Sequence, residues 1–232
     1  MPFYFGFDPT YILVLIGAIL SIWASGRVNS TYSKYAKIRS SAGMTGAQTA
    51  EIILRNKGIN DVRIEHVRGN LTDHYNPSKK VICLSDSVYN STSVAAIGVA
   101  AHECGHVIQH YERYAPLNLR TALVPAANIG SRLGIPIILL GVLFGSNGTL
   151  IQIGIWVFAL AVLFQIVTLP VEFNASKRAL SCIEQYGIVT NDERKLSAKV
   201  LNAAAFTYVA AAAASILQLL RLMLLFGRRR ND

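Results

Sequence analysis

The sequence predicts a mainly α-helical integral membrane protein that also contains a small antiparallel β-sheet. Of its 232 residues, 52% are hydrophobic and only 15% are charged. The mean hydropathy is +0.38, which is too apolar for an ordinary soluble domain. The apolar residues are gathered into long uncharged runs, and a polar segment with strand-like alternation separates the first run from the next. We therefore expect one small polar region attached to several membrane helices.

The first uncharged run predicts an N-terminal transmembrane anchor within residues 1–26. Its core is PTYILVLIGAILSIWASG at residues 9–26, and a bilayer crossing needs about 17–25 residues of this kind. A cleaved signal peptide is the alternative. Because Asp8 stands before the run, where a signal peptide has a basic cluster, the sequence favours a retained anchor.

Residues 27–120 form the predicted polar region. TGAQTAEIILRNKG indicates a short amphipathic helix that begins at a Thr45 cap with Gln48 three residues later. The alternating runs DVRIEHV, LTDHY and KVICLS then predict three short strands, which we expect to pair as an antiparallel sheet. A long helix follows, with Ser91 or Ser93 as its cap, and it contains the stretch AAHECGHVIQH.

Residues 121–171 are predicted to form a transmembrane helical hairpin. No side chain is charged over residues 133–171, and GSNG at residues 145–148 interrupts the run as a tight turn. The remaining segment, residues 172–232, ends in an apolar helix. Whether that helix crosses the bilayer stays open, because a fourth crossing would export the three arginines that follow it, Arg228, Arg229 and Arg230.

Positive charges predict which side of the membrane each loop occupies. Basic side chains follow the first span and the hairpin, whereas the GSNG turn has none: Arg27, Lys34, Lys37, Arg39, Lys177 and Arg178. Because cytoplasmic loops are enriched in lysine and arginine, we expect the polar region to lie in the cytosol, with the N-terminus and the turn outside.

The net charge of +9 and the cysteine content constrain the partners. The basic residues lie beside apolar runs and form no basic, aromatic-bearing recognition element, so anionic lipid head groups are expected rather than nucleic acid. The three cysteines, Cys83, Cys104 and Cys182, form no CxxC pair. Neither a disulfide framework nor a cysteine-based zinc site is therefore indicated, and a reducing compartment fits.

His102, Glu103 and His106 form an H-E-x-x-H motif on the predicted long helix. Two histidines four residues apart project from one helix face, as two zinc ligands require, and the intervening glutamate can reach a water on the metal. Cys104 points to the far side of the helix. A lone histidine in such a place is usually a hydrogen-bonded core residue, but two of them beside a carboxylate in an apolar run favour a metal. His110, one turn on, is expected to be a neighbour or an outer-sphere partner of the ligands.

A third ligand is needed, and Glu172 is the best candidate by position. It is expected to end the second helix of the hairpin, in TLPVEFNASKRAL. A hairpin returns the chain to the membrane face from which it left, so Glu172 can meet the His102 helix. The alternative is an interfacial acid that pairs with Lys177 or Arg178.

At these residues the chain resembles the YugP-type membrane zinc metallopeptidases. The blocks LTDHYNPSKKVICLSDSVYNS, VAAHECGHVIQH, LPVEFNASKRAL and TYVAAAAASILQLLRL carry this resemblance in order along most of the chain. A more distant similarity is to gluzincins of the HtpX and CAAX-prenyl endopeptidase class. The resemblance implies that His102, His106 and Glu172 bind one Zn²⁺ and that Glu103 is the general base. Distant relatives often have an aspartate where this chain has Ser176, which makes Ser176 the candidate outer-sphere partner of the first histidine.

The resemblance also gives the strand KVICLS an expected role. In such peptidases an exposed strand beside the zinc helix pairs with an extended substrate through main-chain hydrogen bonds. Val81, Ile82, Cys83 and Leu84 are the residues so placed in this sequence. The alternative is an ordinary core strand.

Together these observations predict a membrane-embedded zinc endopeptidase of the bacterial plasma membrane, with its active site facing the cytosol. The expected substrates are peptides or membrane proteins. Tyr208, in AAAFTYVAA, is the candidate donor to the oxyanion, and an aromatic anchor at the interface is its alternative role. The rival interpretation of the whole chain is a non-catalytic membrane scaffold with a structural zinc, although such sites are normally closed by four protein ligands.

Overall fold

The computed structural model describes residues 8–227, which form six α-helices and a three-stranded sheet. In chain order the elements are α1 (Tyr11–Tyr35), α2 (Gly46–Asn56), β1 (Arg63–Val67), β2 (His74–Asn76), β3 (Val81–Ser85), α3 (Val94–Tyr111), α4 (Ala115–Leu143), α5 (Gly148–Gln185) and α6 (Asn191–Phe226). The prediction of a mainly α-helical membrane fold with a small sheet is confirmed.

Four of these helices, α1, α4, α5 and α6, are long and apolar enough to cross a membrane. They include the predicted anchor, both arms of the predicted hairpin and the C-terminal helix, whose crossing the sequence left open. The three arginines that argued against a fourth crossing, Arg228, Arg229 and Arg230, lie outside the described residues.

The described chain divides into two compact units. The first unit, here called the membrane unit, contains residues 8–23, 119–168 and 208–227. The second, the site unit, contains residues 24–118 and 169–207. The four long helices contribute residues to both units, because each is longer than the part that a bilayer of about 30 Å requires.

In the membrane unit, α4 and α5 approach closely through glycines. A Cβ added at Gly134 would lie 2.8 Å from the Cβ of Phe158 and 2.9 Å from its Cα. Gly130, Gly141 and Gly154 make equally close approaches. Small residues allow this backbone proximity, and in lipid the resulting van der Waals contact is a main source of helix association.

The same unit pairs α1 with α6 in opposite directions. A Cβ at Gly17 would lie 3.0 Å from the Cα of Ala214. At the end of the pair, a guanidinium nitrogen of Arg221 lies 3.3 Å from a carboxylate oxygen of Asp8. The beginning of α1 and the end of α6 therefore lie together.

In the site unit, α3 is buried on most of its surface. Ser93 is the N-cap, since its hydroxyl accepts from the backbone N–H of Ala96 at 3.1 Å. The predicted capping box of α2, with Thr45 and Gln48, is also present. The α3 side chains with no exposed surface are mostly small and apolar: Val94, Ala95, Ala96, Ile97, Ala100, Ala101, Cys104 and Val107. A helix apolar on all sides belongs inside a core, which explains the apolar sequence around the motif.

The sheet is mixed, and its strand order is β1-β3-β2. β2 pairs with β3 antiparallel, as predicted, but β1 pairs with β3 in parallel. β3 is thus the central strand, and the predicted exposed edge is wrong at Val81, Ile82 and Cys83, which pair with β1 on one side and with β2 on the other. Leu84 pairs with β1 alone.

Helix α5 continues past Glu172 to Gln185. The expectation that Glu172 ends the hairpin helix is therefore wrong. Pro170 lies inside the helix and does not terminate it. Because α5 is continuous, residues on both sides of Glu172 are presented at helical spacing toward their neighbours in the site unit.

Candidate metal centre

Three predicted ligands converge at one point between α3 and α5. His102 Nε2 lies 3.1 Å from His106 Nε2. The Oε2 atom of Glu172 lies 3.3 Å from His102 Nε2 and 3.5 Å from His106 Nε2. The H-E-x-x-H spacing places the two imidazoles on one face of α3, one turn apart, and α5 brings the carboxylate to them.

The triangle formed by these three atoms fits a zinc ion. Zinc bonds of about 2.0–2.2 Å at tetrahedral angles separate neighbouring ligand atoms by about 3.3–3.5 Å. The three observed separations are 3.1, 3.3 and 3.5 Å. Two imidazoles and one carboxylate are also a donor set that zinc prefers.

Glu172 gives an independent reason to expect a cation. Its side chain is almost fully buried, and the Oε2 atom has no hydrogen-bond partner within the described residues. A buried carboxylate oxygen that accepts no hydrogen bond is costly unless a cation compensates it. The alternative ion pair with Arg178 is wrong, because that guanidinium contacts Glu112 and the side-chain oxygen of Asn174.

Three protein groups make up the cluster. Among the residues that the structure describes, His102, His106 and Glu172 form the group of potential metal ligands, and no other His, Cys, Asp or Glu joins them. Cys104 faces away, with its Sγ atom 3.8 Å from the carbonyl oxygen of Ala50. Three protein ligands with an open position characterise catalytic zinc sites, whereas structural sites are closed by four.

Each histidine ligand has a hydrogen-bond partner on its other nitrogen. His102 Nδ1 lies 3.1 Å from the Ser176 hydroxyl, at the position that the resemblance indicated. His106 Nδ1 lies 3.1 Å from Oε1 of Gln109. Hydrogen bonds to the ring nitrogen that faces away from the metal orient the imidazole, and in other zinc sites they commonly contribute about 10- to 100-fold to metal affinity.

Glu103 lies beside the ligand cluster and is only 7% exposed. Burial raises the pKa of its carboxyl group, although the neighbouring His102 and His106 act in the opposite direction. A carboxyl group with a raised pKa is suited to take up and release a proton near neutral pH. Its place next to the ligands is therefore that of a candidate general base.

Two other predicted site residues lie elsewhere. His110 is directed at the sheet, with its Nδ1 atom 2.9 Å from the hydroxyl of Tyr75 on β2. The outer-sphere role predicted for His110 is wrong, because Gln109 and Ser176 occupy the two positions next to the ligands. Tyr208 lies on α6 in the membrane unit, and its role toward an oxyanion stays a prediction.

A glycine inside the motif sets the distance between the two ligand-bearing helices. A Cβ added at Gly105 would lie 2.4 Å from the carbonyl oxygen of Ala175 and 3.1 Å from its Cα. α3 therefore contacts the backbone of α5 directly, three residues after Glu172. No larger side chain fits at Gly105 unless the helices move apart.

Sequence reasoning missed Gly105 and Gln109 as contributors to the site. Gln109 follows His106 by three residues, which is the spacing of neighbours on one helix face. It is also an amide inside an apolar helix, and its side chain has no exposed surface. A buried polar residue at that spacing is the signal that points to it.

Comparisons with known proteins agree with this site. Residues 10–227 match the model of a family described as "Putative neutral zinc metallopeptidase". A curated relative from Bacillus subtilis (strain 168), "Putative membrane protease YugP", is 47% identical over 223 residues, which cover 96% of this chain and 99% of the relative. No solved structure matches the chain. The matched range and the identity together show that the chain belongs to this family.

Proposed function

We propose that the protein is a membrane-embedded, zinc-dependent endopeptidase. His102, His106 and Glu172 hold one Zn²⁺, and Glu103 is the general base. The observation that carries the proposal is the geometry of the cluster: three ligand atoms at zinc spacing. The buried Glu103 follows the first ligand directly on α3.

In the proposed hydrolysis, each residue of the site has a separate role. When bound, zinc supplies Lewis acidity to a water molecule and to the scissile carbonyl group. Glu103 accepts the proton of the attacking water and delivers it to the leaving amine. Apolar α3 side chains around these groups exclude bulk water, which strengthens the electrostatic interactions inside the site. Tyr208 is retained as the proposed donor to the oxyanion.

We assign the substrate-pairing role to the free edge of β2 instead of β3. Only β1 and β2 have an unpaired edge in this sheet. Of these two strands, β2 is bound to α3, the helix that carries His102 and His106, through the hydrogen bond between Tyr75 and His110. An extended peptide can add a strand at such an edge by main-chain hydrogen bonds. Because the protein is built into a membrane, membrane proteins and membrane-associated peptides are the proposed substrates.

The test is metal-dependent cleavage by purified protein in lipid nanodiscs. The substrates are an unfolded casein-like protein and a single-span membrane protein, each with the zinc-loaded protein, the metal-free protein and the Glu103→Gln variant. We expect that variant to retain zinc and to lose on the order of 10²- to 10⁴-fold in cleavage rate, the usual contribution of a general base. Turnover by Glu103→Gln at the wild-type rate would reject the mechanism. Zinc-loaded wild type that cleaves neither substrate would favour the scaffold interpretation.

The proposed location is the cell membrane, with the site on the cytosolic side. Reporter fusions at Gly148, in the hairpin turn, and after Arg230 test it. We expect signals outside the cytosol from both fusions, because the beginning of α1 and the end of α6 lie together and the turn has no basic residue. A cytosolic signal at Gly148 would reverse the orientation.

A further inference from the structure

The side chain of Gln109 has no exposed surface and connects the two ligand-bearing helices. Its Nε2 atom lies 2.8 Å from the carbonyl oxygen of Val171 and 3.0 Å from Oδ1 of Asn174, both on α5. Its Oε1 atom lies 3.1 Å from His106 Nδ1 on α3. Gln109 thus joins a metal ligand to the residues on either side of Glu172.

The two groups at the ends of this hydrogen-bond network can each play only one role, either as acceptor or as donor. The carbonyl oxygen of Val171 only accepts hydrogen bonds, so the group of Gln109 that faces it must be the NH₂. Arg178 only donates, and its Nε atom lies 2.6 Å from Oδ1 of Asn174. The Asn174 oxygen therefore accepts both from Arg178 and from Gln109. The orientation of both amides therefore follows from the donors and acceptors that face them.

The orientation of the Gln109 amide determines which ring nitrogen of a neutral His106 carries the proton. Because the NH₂ group of Gln109 faces α5, its oxygen faces His106 Nδ1. An amide oxygen only accepts, so a neutral His106 must carry its proton on Nδ1 and donate it. The lone pair of His106 then lies on Nε2, the atom that points at the metal position.

His102 is constrained at its other nitrogen. Its Nε2 atom lies 3.1 Å from Nε2 of His106, which only accepts in the Nδ1–H tautomer, so a neutral His102 carries its proton on Nε2 before metal binds. The Nδ1 atom of His102 faces the hydroxyl of Ser176 at 3.1 Å. A hydroxyl both donates and accepts, so it satisfies either tautomer of a neutral histidine. The two ligands on the same helix are thus held by partners of different chemical character.

We propose that Arg178, Asn174 and Gln109 form a directional hydrogen-bond relay that presets His106 in the Nδ1–H tautomer before metal binds. His106 is the preorganised ligand, and His102 adopts its ligand tautomer when the metal arrives. The relay consists of positioning residues, because none of them touches the metal position. The inference rests on the proposed zinc ligation but not on peptide cleavage.

The first test is the tautomer of each histidine in metal-free protein. Protein labelled with ¹⁵N-histidine, in micelles, is studied by long-range ¹H–¹⁵N NMR at stepwise increasing pH, and the tautomer of each histidine is read once its ring is neutral. The five histidines are assigned by single substitutions. We expect His106 to have the proton on Nδ1, and His102 to have it on Nε2, from which it donates to His106. His106 found with its proton on Nε2 would overturn the proposal, and this measurement needs no variant of the relay.

The second test compares zinc affinities by competition with a chelator. Gln109→Met removes the acceptor while keeping the volume, and we expect a loss of 10- to 100-fold, the range typical of outer-sphere partners. Asn174→Asp keeps the oxygen that accepts from Arg178 and Gln109, so it should retain the wild-type affinity, whereas Asn174→Leu leaves the Gln109 amide only the carbonyl oxygen of Val171 and should bind zinc more weakly than Asn174→Asp. Equal affinities for Asn174→Asp and Asn174→Leu would overturn the relay, as would wild-type affinity in Gln109→Met. Circular dichroism checks that each variant is folded.

These outcomes separate the inference from the proposed function. If the relay variants weaken zinc binding but the protein cleaves no substrate, the relay proposal stands and the proposed peptidase function is rejected. If the protein cleaves substrate and the relay variants bind zinc as tightly as the wild type, the proposed peptidase function stands and the relay proposal is rejected.

Discussion

Helix α5 contacts glycines of α4 in the membrane unit and a glycine of α3 in the site unit, and the contacts in the two units differ in what accompanies the glycine. In the membrane unit it packs against Gly134 of α4, with Phe158 at the contact. In the site unit it packs against Gly105 of α3, with Ala175 at the contact. At the first contact apolar side chains meet. At the second a buried amide, Gln109, donates to the carbonyl oxygen of Val171 across the same helix pair.

The difference follows from what each contact must achieve. Two membrane helices gain association from shape and close backbone approach, and a polar group there is costly unless it is paired. A metal site needs ligand atoms held within a few tenths of an ångström, so orientation matters as well as proximity. Glycine provides the proximity in both places, and the polar network provides the orientation in one. The predictions below test whether the two contributions are separable.

Removal of the third ligand should have the largest effect. Glu172→Gln replaces the carboxylate by a neutral amide of the same shape, which leaves the helix contact intact but removes the charge that compensates a cation. We expect zinc affinity to fall by more than the 10- to 100-fold that an outer-sphere partner contributes. Elemental analysis after dialysis measures the bound zinc.

The matched control for that prediction is Glu184→Gln, farther along α5. Glu184 is exposed and pairs with Arg194, and it lies outside the ligand cluster. Zinc content should equal that of the wild type in this variant. Full zinc content in Glu172→Gln would mean that another acid completes the site.

Spreading the helices at the site should have the next largest effect. In Gly105→Ala the new Cβ would lie 2.4 Å from the carbonyl oxygen of Ala175. To restore an ordinary contact the helices must separate by about 1 Å. The distances from Glu172 to the histidines would rise with them, and we expect zinc affinity to fall on the order of 10- to 100-fold, as for a misoriented ligand.

Gly98→Ala is the control on the same helix. Its new Cβ would lie 3.2 Å from the Cβ of Ser197 on α6, a contact that a small shift relieves. Zinc affinity, measured by chelator competition, should stay close to that of the wild type. If Gly98→Ala and Gly105→Ala weakened zinc equally, the effect would come from general destabilisation of α3 and not from the α3–α5 distance.

The sequence predicted the parts of this site that have a local signature. The spacing of His102 and His106 is a property of one helix, and the return of Glu172 follows from the hairpin. Gln109 could not be assigned in the same way, because its role depends on a carbonyl of α5 that no pattern in α3 encodes. The central position of β3 was missed for a related reason: strand order depends on where β1 crosses over, whereas alternation within a strand does not.

The steric contact in the membrane unit should affect stability and leave zinc unchanged. In Gly134→Ala the new Cβ would meet the Cβ, Cα and backbone N of Phe158 at 2.8, 2.9 and 3.0 Å. Overpacking of this kind costs about 1–3 kcal/mol, so the midpoint of unfolding in a denaturing detergent should decrease.

Gly148→Ala is the control, because nothing lies within 4 Å of a Cβ there and alanine favours a helix over glycine by up to about 1 kcal/mol. Zinc affinity should match the wild type in both variants, since the ligands belong to the site unit. A loss of zinc in Gly134→Ala would show that the α4–α5 contact contributes to ligand geometry, and the separation between proximity in one unit and orientation in the other would no longer hold.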